Sequence, residues 1–216
     1  VGTIRPTNFG ESFSVKSVPE PNDLAYTSFA LTPHTDNPYR KPIPCIQLLH
    51  CIENKVHGGL STLVDGFAVA EHLRKNHPHL FKILTKTKVR FRFVDKSIVL
   101  ENWGELIELD ENKKVKQVRF SSRLDYVPVL EKKKLSVFYE ARKLIANLYT
   151  SSKFEIRFKL EKGDLLMMDN HRLLHGRTAY DVSEGKRFLK GCYIDHDSTE
   201  GKLRYLERKF SLKWKK

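Results

Sequence analysis

The sequence predicts a mainly β protein, a β-sandwich or jelly roll decorated by helices. Two observations carry this: many short apolar or alternating runs have strand length, and few segments show helical spacing. Residues 16–23 (KSVPEPND) hold two prolines among polar side chains and predict a loop. Ile43 to Ile52 is apolar and follows prolines, as a buried strand would. The Gly58-Gly59 turn leads to a strand from Leu60 to Val64. Asp65 then offers an N-cap to a helix over Phe67 to Lys75, and a second helical piece spans His79 to Thr85. Val89 to Val94, Ser97 to Glu101 and Val115 to Phe120 predict strands. Glu131 to Tyr149 is the one long helix, because Leu135, Phe138, Ala141, Ile145, Leu148 and Tyr149 share a face. Phe154, Ile156, Phe158 and Leu160 alternate as a half-buried strand does. Gly163-Asp164 turns the chain into an apolar run, Leu165 to Asp169, of buried-strand length. Phe188 to Ile194 is a further strand, and Thr199 to Lys209 a closing helix.

With 216 residues, 40% hydrophobic and 30% charged, the chain suits one folded domain over residues 1–216 and excludes a disordered polymer. No apolar run reaches the length of a membrane span. Cys45, Cys51 and Cys192 are odd in number and form no CxxC pair. This argues against a disulfide scaffold or a structural zinc site, and for a reducing, cytoplasmic setting. The first residue is Val1, not Met, so a longer parent chain is expected. The 39 Lys and Arg outnumber 26 Asp and Glu, a net charge of +13 that favours anionic partners. The charge is spread along the chain, with short runs only at Lys132-Lys133-Lys134 and Lys213 to Lys216 around Trp214. No nucleic-acid module is present, so a Lys-rich solvated surface is the better reading than nucleic-acid or membrane binding.

In His34-Thr35-Asp36, residues i and i+2 of an extended segment point to one side, so an imidazole and a carboxylate converge. A distant histidine would complete the two-nitrogen, one-carboxylate facial triad of non-haem Fe(II) oxygenases. By itself the triplet is a weak signal. The distant candidate is His175, after a strand and before Gly176; His171 is a rival. A His171/His175 zinc pair needs a helix, for which Asp169 and Gly176 leave little room. Arg187 opens the next strand and could grip the far carboxylate of a 2-oxo acid bidentately, with Ser61 adding a hydroxyl. Taken singly, Arg187 reads better as a surface charge and Ser61 as an ordinary strand hydroxyl. Phe9, Phe13, Tyr26 and Tyr193 lie near these segments and could cage a quaternary ammonium, or simply pack in a core.

The stretches AYTSFALTPHTDNPY, IQLLHCIEN, GGLSTLVDGF, GDLLMMDNHRLLHGR and KRFLKGCY, in this order, resemble γ-butyrobetaine dioxygenase and trimethyllysine dioxygenase. These are Fe(II)- and 2-oxoglutarate-dependent hydroxylases of the taurine dioxygenase-like group. The likeness runs from Thr7 to Tyr205. It implies a double-stranded β-helix, with Fe(II), 2-oxoglutarate and O2 as the reacting set and a small trimethylammonium compound as substrate. It implies that His34, Asp36 and His175 hold the iron and that Arg187, helped by Ser61, anchors 2-oxoglutarate. Tyr26 and Tyr193 match rings around the trimethylammonium group; Phe13 and Phe9 replace a Trp and a Tyr of that cage. Asp23 and Ser121 each stand where an Asn binds the substrate's anionic end. A carboxylate at Asp23 would repel that end unless a cation such as Arg123 intervenes. Leu60 replaces a usual Asp and His171 a usual Trp.

Relatives extend further at the N-terminus, so the resemblance also implies a truncated start. A sheet edge left uncovered would then favour aggregation or pairing. A homodimer is a further expectation. Two other readings are a non-catalytic betaine-binding jelly roll and a basic nucleic-acid module.

Overall fold

The computed structural model describes residues 2–18 and 24–210. Asp23 and the Lys213 to Lys216 run lie outside them. The described chain is mainly β with four α-helices. Strands β1 (Ile4–Arg5), β2 (Phe13–Val15), β3 (Leu31–His34), β4 (Ile46–Asn54) and β5 (Ser61–Asp65) come first. Helices α1 (Gly66–Asn76) and α2 (Pro78–Leu84) follow. Next are β6 (Lys88–Val94), β7 (Val99–Glu105), β8 (Ile107–Leu109), β9 (Val115–Val118) and β10 (Asp125–Tyr126). Helix α3 (Lys132–Tyr149) leads to β11 (Glu155–Phe158), β12 (Leu165–Asp169), β13 (Leu173–Arg177), β14 (Arg187–Ile194) and α4 (His196–Lys209).

Two sheets matter for function. One runs β1-β14-β4-β12, with β2 also paired to β14; the other runs β11-β5-β13-β3. All their pairings are antiparallel. A large pocket lies between them, walled by Leu49, Leu166 and Leu189 of the first sheet and Leu31, Thr62 and Gly176 of the second. β6, β7 and β10 form a smaller sheet, and β8 pairs β9.

The main apolar core lies under the helices and reaches the pocket through Tyr39 and Phe93. Leu73, Leu80, Leu84, Phe138, Ile145 and Tyr149 bury there against Val89, Phe91 and Val118. Helix α3 follows its sequence pattern: Phe138, Ala141, Ile145 and Tyr149 are buried, while Leu135 and Leu148 are half-buried. Helix α1 starts where Asp65 accepts from the backbone N–H of Phe67 (3.0 Å) and Ala68 (3.3 Å). Helix α2 starts on Pro78, whose missing N–H costs nothing at that position.

Two expectations need correction. β12 is half-buried, not buried: Leu165 (57%) and Met167 (58%) point to an uncovered face, while Leu166 lines the pocket and Met168 is buried on the other. Ile156, expected on the same covered face as Phe154 and Phe158, is 61% exposed while those two are half-buried; β11 is the outer strand of the other sheet. The segment Leu173–Arg177, which has no strand signature beyond its leucines, is strand β13, held between β5 and β3. No helix among the described residues is long and apolar enough to cross a membrane.

Candidate metal centre and pocket

Strands β3 and β13 pair with His34 directly opposite His175, which brings the two imidazoles together at 4.5 Å between ring centroids. The chain leaves β3 after His34 and carries Asp36 back over the same point. Asp36 Oδ1 stands 3.3 Å from His34 Nε2, and Asp36 Oδ2 stands 3.7 Å from His175 Nε2. The three ligand atoms lie within 4.8 Å of one another, close enough to share one ion.

The surroundings prepare these groups as ligands. His34 Nδ1 lies 2.9 Å from the Thr32 carbonyl oxygen, which fixes the Nδ1–H tautomer and leaves Nε2 as a donor for metal. Asp36 Oδ2 accepts from Gln47 Nε2 (2.7 Å) and from the Tyr193 hydroxyl (2.6 Å). Gln47 and Tyr193 face each other across β4 and β14, so the first sheet delivers both donors to one carboxylate oxygen. Oδ1, on the imidazole side, accepts no hydrogen bond from either. Burial alone would raise the Asp36 carboxyl. The adjacent His175 and His34, with the Tyr193 hydroxyl, outweigh burial and hold it well below the usual carboxylate range. Burial pushes His175 down to about 4, so its imidazole is neutral near pH 7. Burial and the Asp36 charge both push the Tyr193 phenol up, which keeps its proton on oxygen. A neutral imidazole beside an ionised carboxylate is the state a divalent ion requires.

Asn170 holds the loop that carries Asp36. Its Oδ1 accepts from the Asp36 N–H (2.7 Å), and its Nδ2 donates to the carbonyls of Asp36 (3.0 Å) and Pro44 (2.9 Å). It is fully buried. Sequence reasoning missed Asn170 and Gln47, because neither carries metal chemistry and their partners are far apart in the chain.

Arg187 is no surface charge. It is 5% exposed, at the start of β14, and lines the pocket. Its Nε donates to the Gly59 carbonyl (2.9 Å), and its guanidinium lies 5.9 Å from the Tyr180 ring centroid. Neither Nη group donates to the protein among the described residues, so both remain for a ligand. Burial, and then Arg177, push Arg187 down to about 10, still charged at neutral pH. Gly59 has φ 65°, and a Cβ there would stand 2.8 Å from Arg187 Cδ. The glycine turn thus creates the space in which the guanidinium lies. Ser61 and Thr62 line the pocket beside it. Arg177, not singled out from sequence, also lines the pocket, but it spends its guanidinium on the carbonyls of Ala25, Thr27 and Phe29.

Phe9, Phe13, Tyr26 and Tyr193 all line the same pocket, with Tyr39 and Phe93 added by the structure. Phe13 stacks on Tyr193 at 5.2 Å, and Phe9 meets Phe93 edge-on at 5.8 Å. Arg123 lies on the pocket wall; Ser121 does not. Ser121 is buried with its Oγ unpartnered, because the chain packs Phe120 and Ser121 inward before turning Arg123 and Leu124 toward the pocket.

Two imidazoles from paired strands and one carboxylate from the loop after β3 converge on one wall of a pocket and could hold a single metal ion, the donor pattern of the facial-triad class. The chain belongs to the taurine catabolism dioxygenase TauD, TfdA family, whose model matches residues 1–193. It is 36% identical over 208 residues to a γ-butyrobetaine dioxygenase of Pseudomonas sp. (strain AK-1), covering 96% of this chain and 54% of that protein. It is 32% identical over 208 residues to a trimethyllysine dioxygenase of Meyerozyma guilliermondii, covering 94% of this chain and 51% of that protein. The chain therefore spans about half the length of these curated relatives. A solved structure of asparagine oxygenase in complex with Fe(II), 2S,3S-3-hydroxyasparagine and succinate shares the fold. Its TM-score is 0.70 at 19% identity, covering 89% of this chain and 59% of that one.

Proposed function

We propose that this chain is the jelly-roll catalytic domain of an Fe(II)- and 2-oxoglutarate-dependent dioxygenase that hydroxylates a small trimethylammonium substrate. γ-Butyrobetaine or a close analogue is the best-supported compound; trimethyllysine and a trimethylammonium phosphonate are the other members of the class. The observation that carries the reading is the convergence of His34, Asp36 and His175 beside a buried, ligand-ready Arg187 in one aromatic pocket. Membership in the family, and relatives named for both butyrobetaine and trimethyllysine, support the substrate class.

The donor set, two imidazole nitrogens and one carboxylate beside the pocket, fits ferrous iron. When bound, iron with 2-oxoglutarate and O2 supplies the oxidation of a C–H bond to C–OH, with succinate and carbon dioxide as co-products. The residues perform the rest. His34 and His175 present Nε2 and Asp36 presents Oδ1, while Gln47 and Tyr193 hold Oδ2 aside. Arg187 receives the distal carboxylate of 2-oxoglutarate on its Nη groups, with Ser61 beside it. Tyr26, Tyr193, Phe13 and Phe9 hold the trimethylammonium head by cation–π attraction and fix which carbon lies nearest the metal. Arg123 faces the substrate's anionic end. Leu49, Leu166 and Leu189 exclude water from this space.

The test is succinate release from 2-oxoglutarate with ferrous ion and each of the three compounds in turn. One compound should stimulate release strongly, and Asp36→Ala should abolish it. If the folded chain binds a trimethylammonium compound yet yields no succinate with any of the three, it is a betaine-binding protein. If Asp36→Ala retains turnover, the ligand set is wrong.

A further inference from the structure

A second ligand cluster lies on the far side of Asn170. Cys45 Sγ and one nitrogen each of His171 and His196 lie within 4.8 Å of one another. They come from three separate segments: the loop before β4, the turn after β12, and the first residue of α4. Cys45 is buried, and the two histidines are half-buried with rings meeting edge-on at 5.1 Å.

We propose that Cys45, His171 and His196 form a structural site for zinc or a similar borderline-soft divalent ion. One thiolate and two imidazoles are a tetrahedral zinc donor set. A ligating imidazole characteristically gives its second nitrogen to a carbonyl or carboxylate. Both rings already have such a partner at Nε2. The Ile43 carbonyl oxygen is 3.2 Å from His171 Nε2, and Asp169 Oδ1 is 3.4 Å from His196 Nε2. Nδ1 of each ring is left for the ion. Donor atoms on a tetrahedral zinc stand about 3.3–3.6 Å apart, so ligand atoms within 4.8 Å of one another need to close by at most roughly 1 Å. His196, at the surface, can make that movement. Asp195, whose Oδ1 is 3.9 Å from Cys45 Sγ, is in reach of the fourth position. On binding, the Cys45 thiol gives its proton to solvent and its sulfur lone pair to the ion. Cysteine spacing does not register such a cluster, because its three members are gathered by the fold from far apart in the chain.

The site would tie α4 to the turn that carries Asn170. Asn170 N–H donates to the Cys45 carbonyl (2.7 Å), and its side chain fixes the Asp36 backbone. A metal here would therefore brace the first centre without touching it.

Cobalt(II) titration of the metal-stripped chain tests this. The His34/Asp36/His175 set contains no sulfur, so a thiolate-to-cobalt charge-transfer band reports the second site alone. The band should saturate within two equivalents in the native chain, where the first centre takes its share, and near one equivalent in Asp36→Ala; it should bleach when zinc is added and persist in Cys192→Ser. Cys45→Ser should abolish it, and His196→Ala, a surface change that leaves the buried thiol in place, should weaken cobalt binding at least tenfold. Absence of the band in the native chain, or its persistence in Cys45→Ser, would overturn the proposal. Because Asp36→Ala leaves this site intact, the band stands or falls independently of the oxygenase reading.

Discussion

The Tyr193 hydroxyl donates to Asp36 Oδ2 at 2.6 Å while the same ring stacks on Phe13 of the neighbouring strand β2. One side chain thus serves the Asp36 carboxylate with its oxygen and the aromatic wall of the pocket with its face.

Replacing Tyr193 separates those roles. Tyr193→Phe keeps the ring and should weaken ferrous binding by about 10–100-fold, the usual effect of losing a partner of a ligand. Preference for a trimethylammonium substrate over its neutral isostere should be retained. Tyr193→Leu should lose both. Equal ferrous affinity in native and Tyr193→Phe protein would remove the hydroxyl from the design of the site.

Asn170→Ala leaves the Asp36 N–H and the carbonyls of Asp36 and Pro44 without their partner. Unmet buried groups of this kind cost about 2–4 kcal/mol together, or on the order of 5–15 °C in Tm for a chain of this size. Ferrous affinity should fall with stability. A Tm within a degree or so of native would mean that the loop is held elsewhere.

Arg187→Met removes the charge that waits on the pocket wall. Loss of a charge-assisted contact costs about 1.5–3 kcal/mol, so the 2-oxoglutarate concentration at half-maximal succinate release should rise tenfold or more. An unchanged requirement would move the anchor to another residue.

Asp65 caps α1 and pairs with Arg172 at 2.7 Å. Burial alone would raise its carboxyl, but the hydrogen bonds from Arg172, Ala68 and Phe67 prevail and hold it below the ordinary value. The unfolded chain therefore takes up this proton more readily than the folded one. The ionised group stabilises the fold above about pH 4 and loses that effect as pH falls through its lowered value. Asp65→Asn keeps a capping oxygen but not the charge. Its deficit in urea midpoint at pH 7 should shrink at pH 3.5; a constant deficit would assign the effect to packing.

Much of this site was legible because its chemistry is local. His34 and Asp36 share a short extended segment, and α3 and α1 announce themselves by periodicity and by the Asp65 cap. What escaped has partners far away in the chain. Asn170 and Gln47 serve Asp36 through hydrogen bonds that no spacing rule encodes, and Arg177 is spent on carbonyls of the loop at 25–29. Strand β13 has few β-branched residues and exists because β5 and β3 flank it. The exposure of Ile156 on β11 and of Leu165 and Met167 on β12 is not legible in the sequence, because hydropathy shows what a strand could cover, not whether a neighbour arrives.

Those outer strands carry a colloidal consequence. Leu165, Met167 and Ile156 offer greasy rows beside open strand edges, a template on which a second copy could add. The protection available in dilute buffer is mutual repulsion between molecules of charge +13. Screening shortens that repulsion from about 10 Å at 0.1 M salt to about 3 Å at 1 M. Solubility should therefore fall, not rise, as salt is added. Light scattering across that range would read the trend directly.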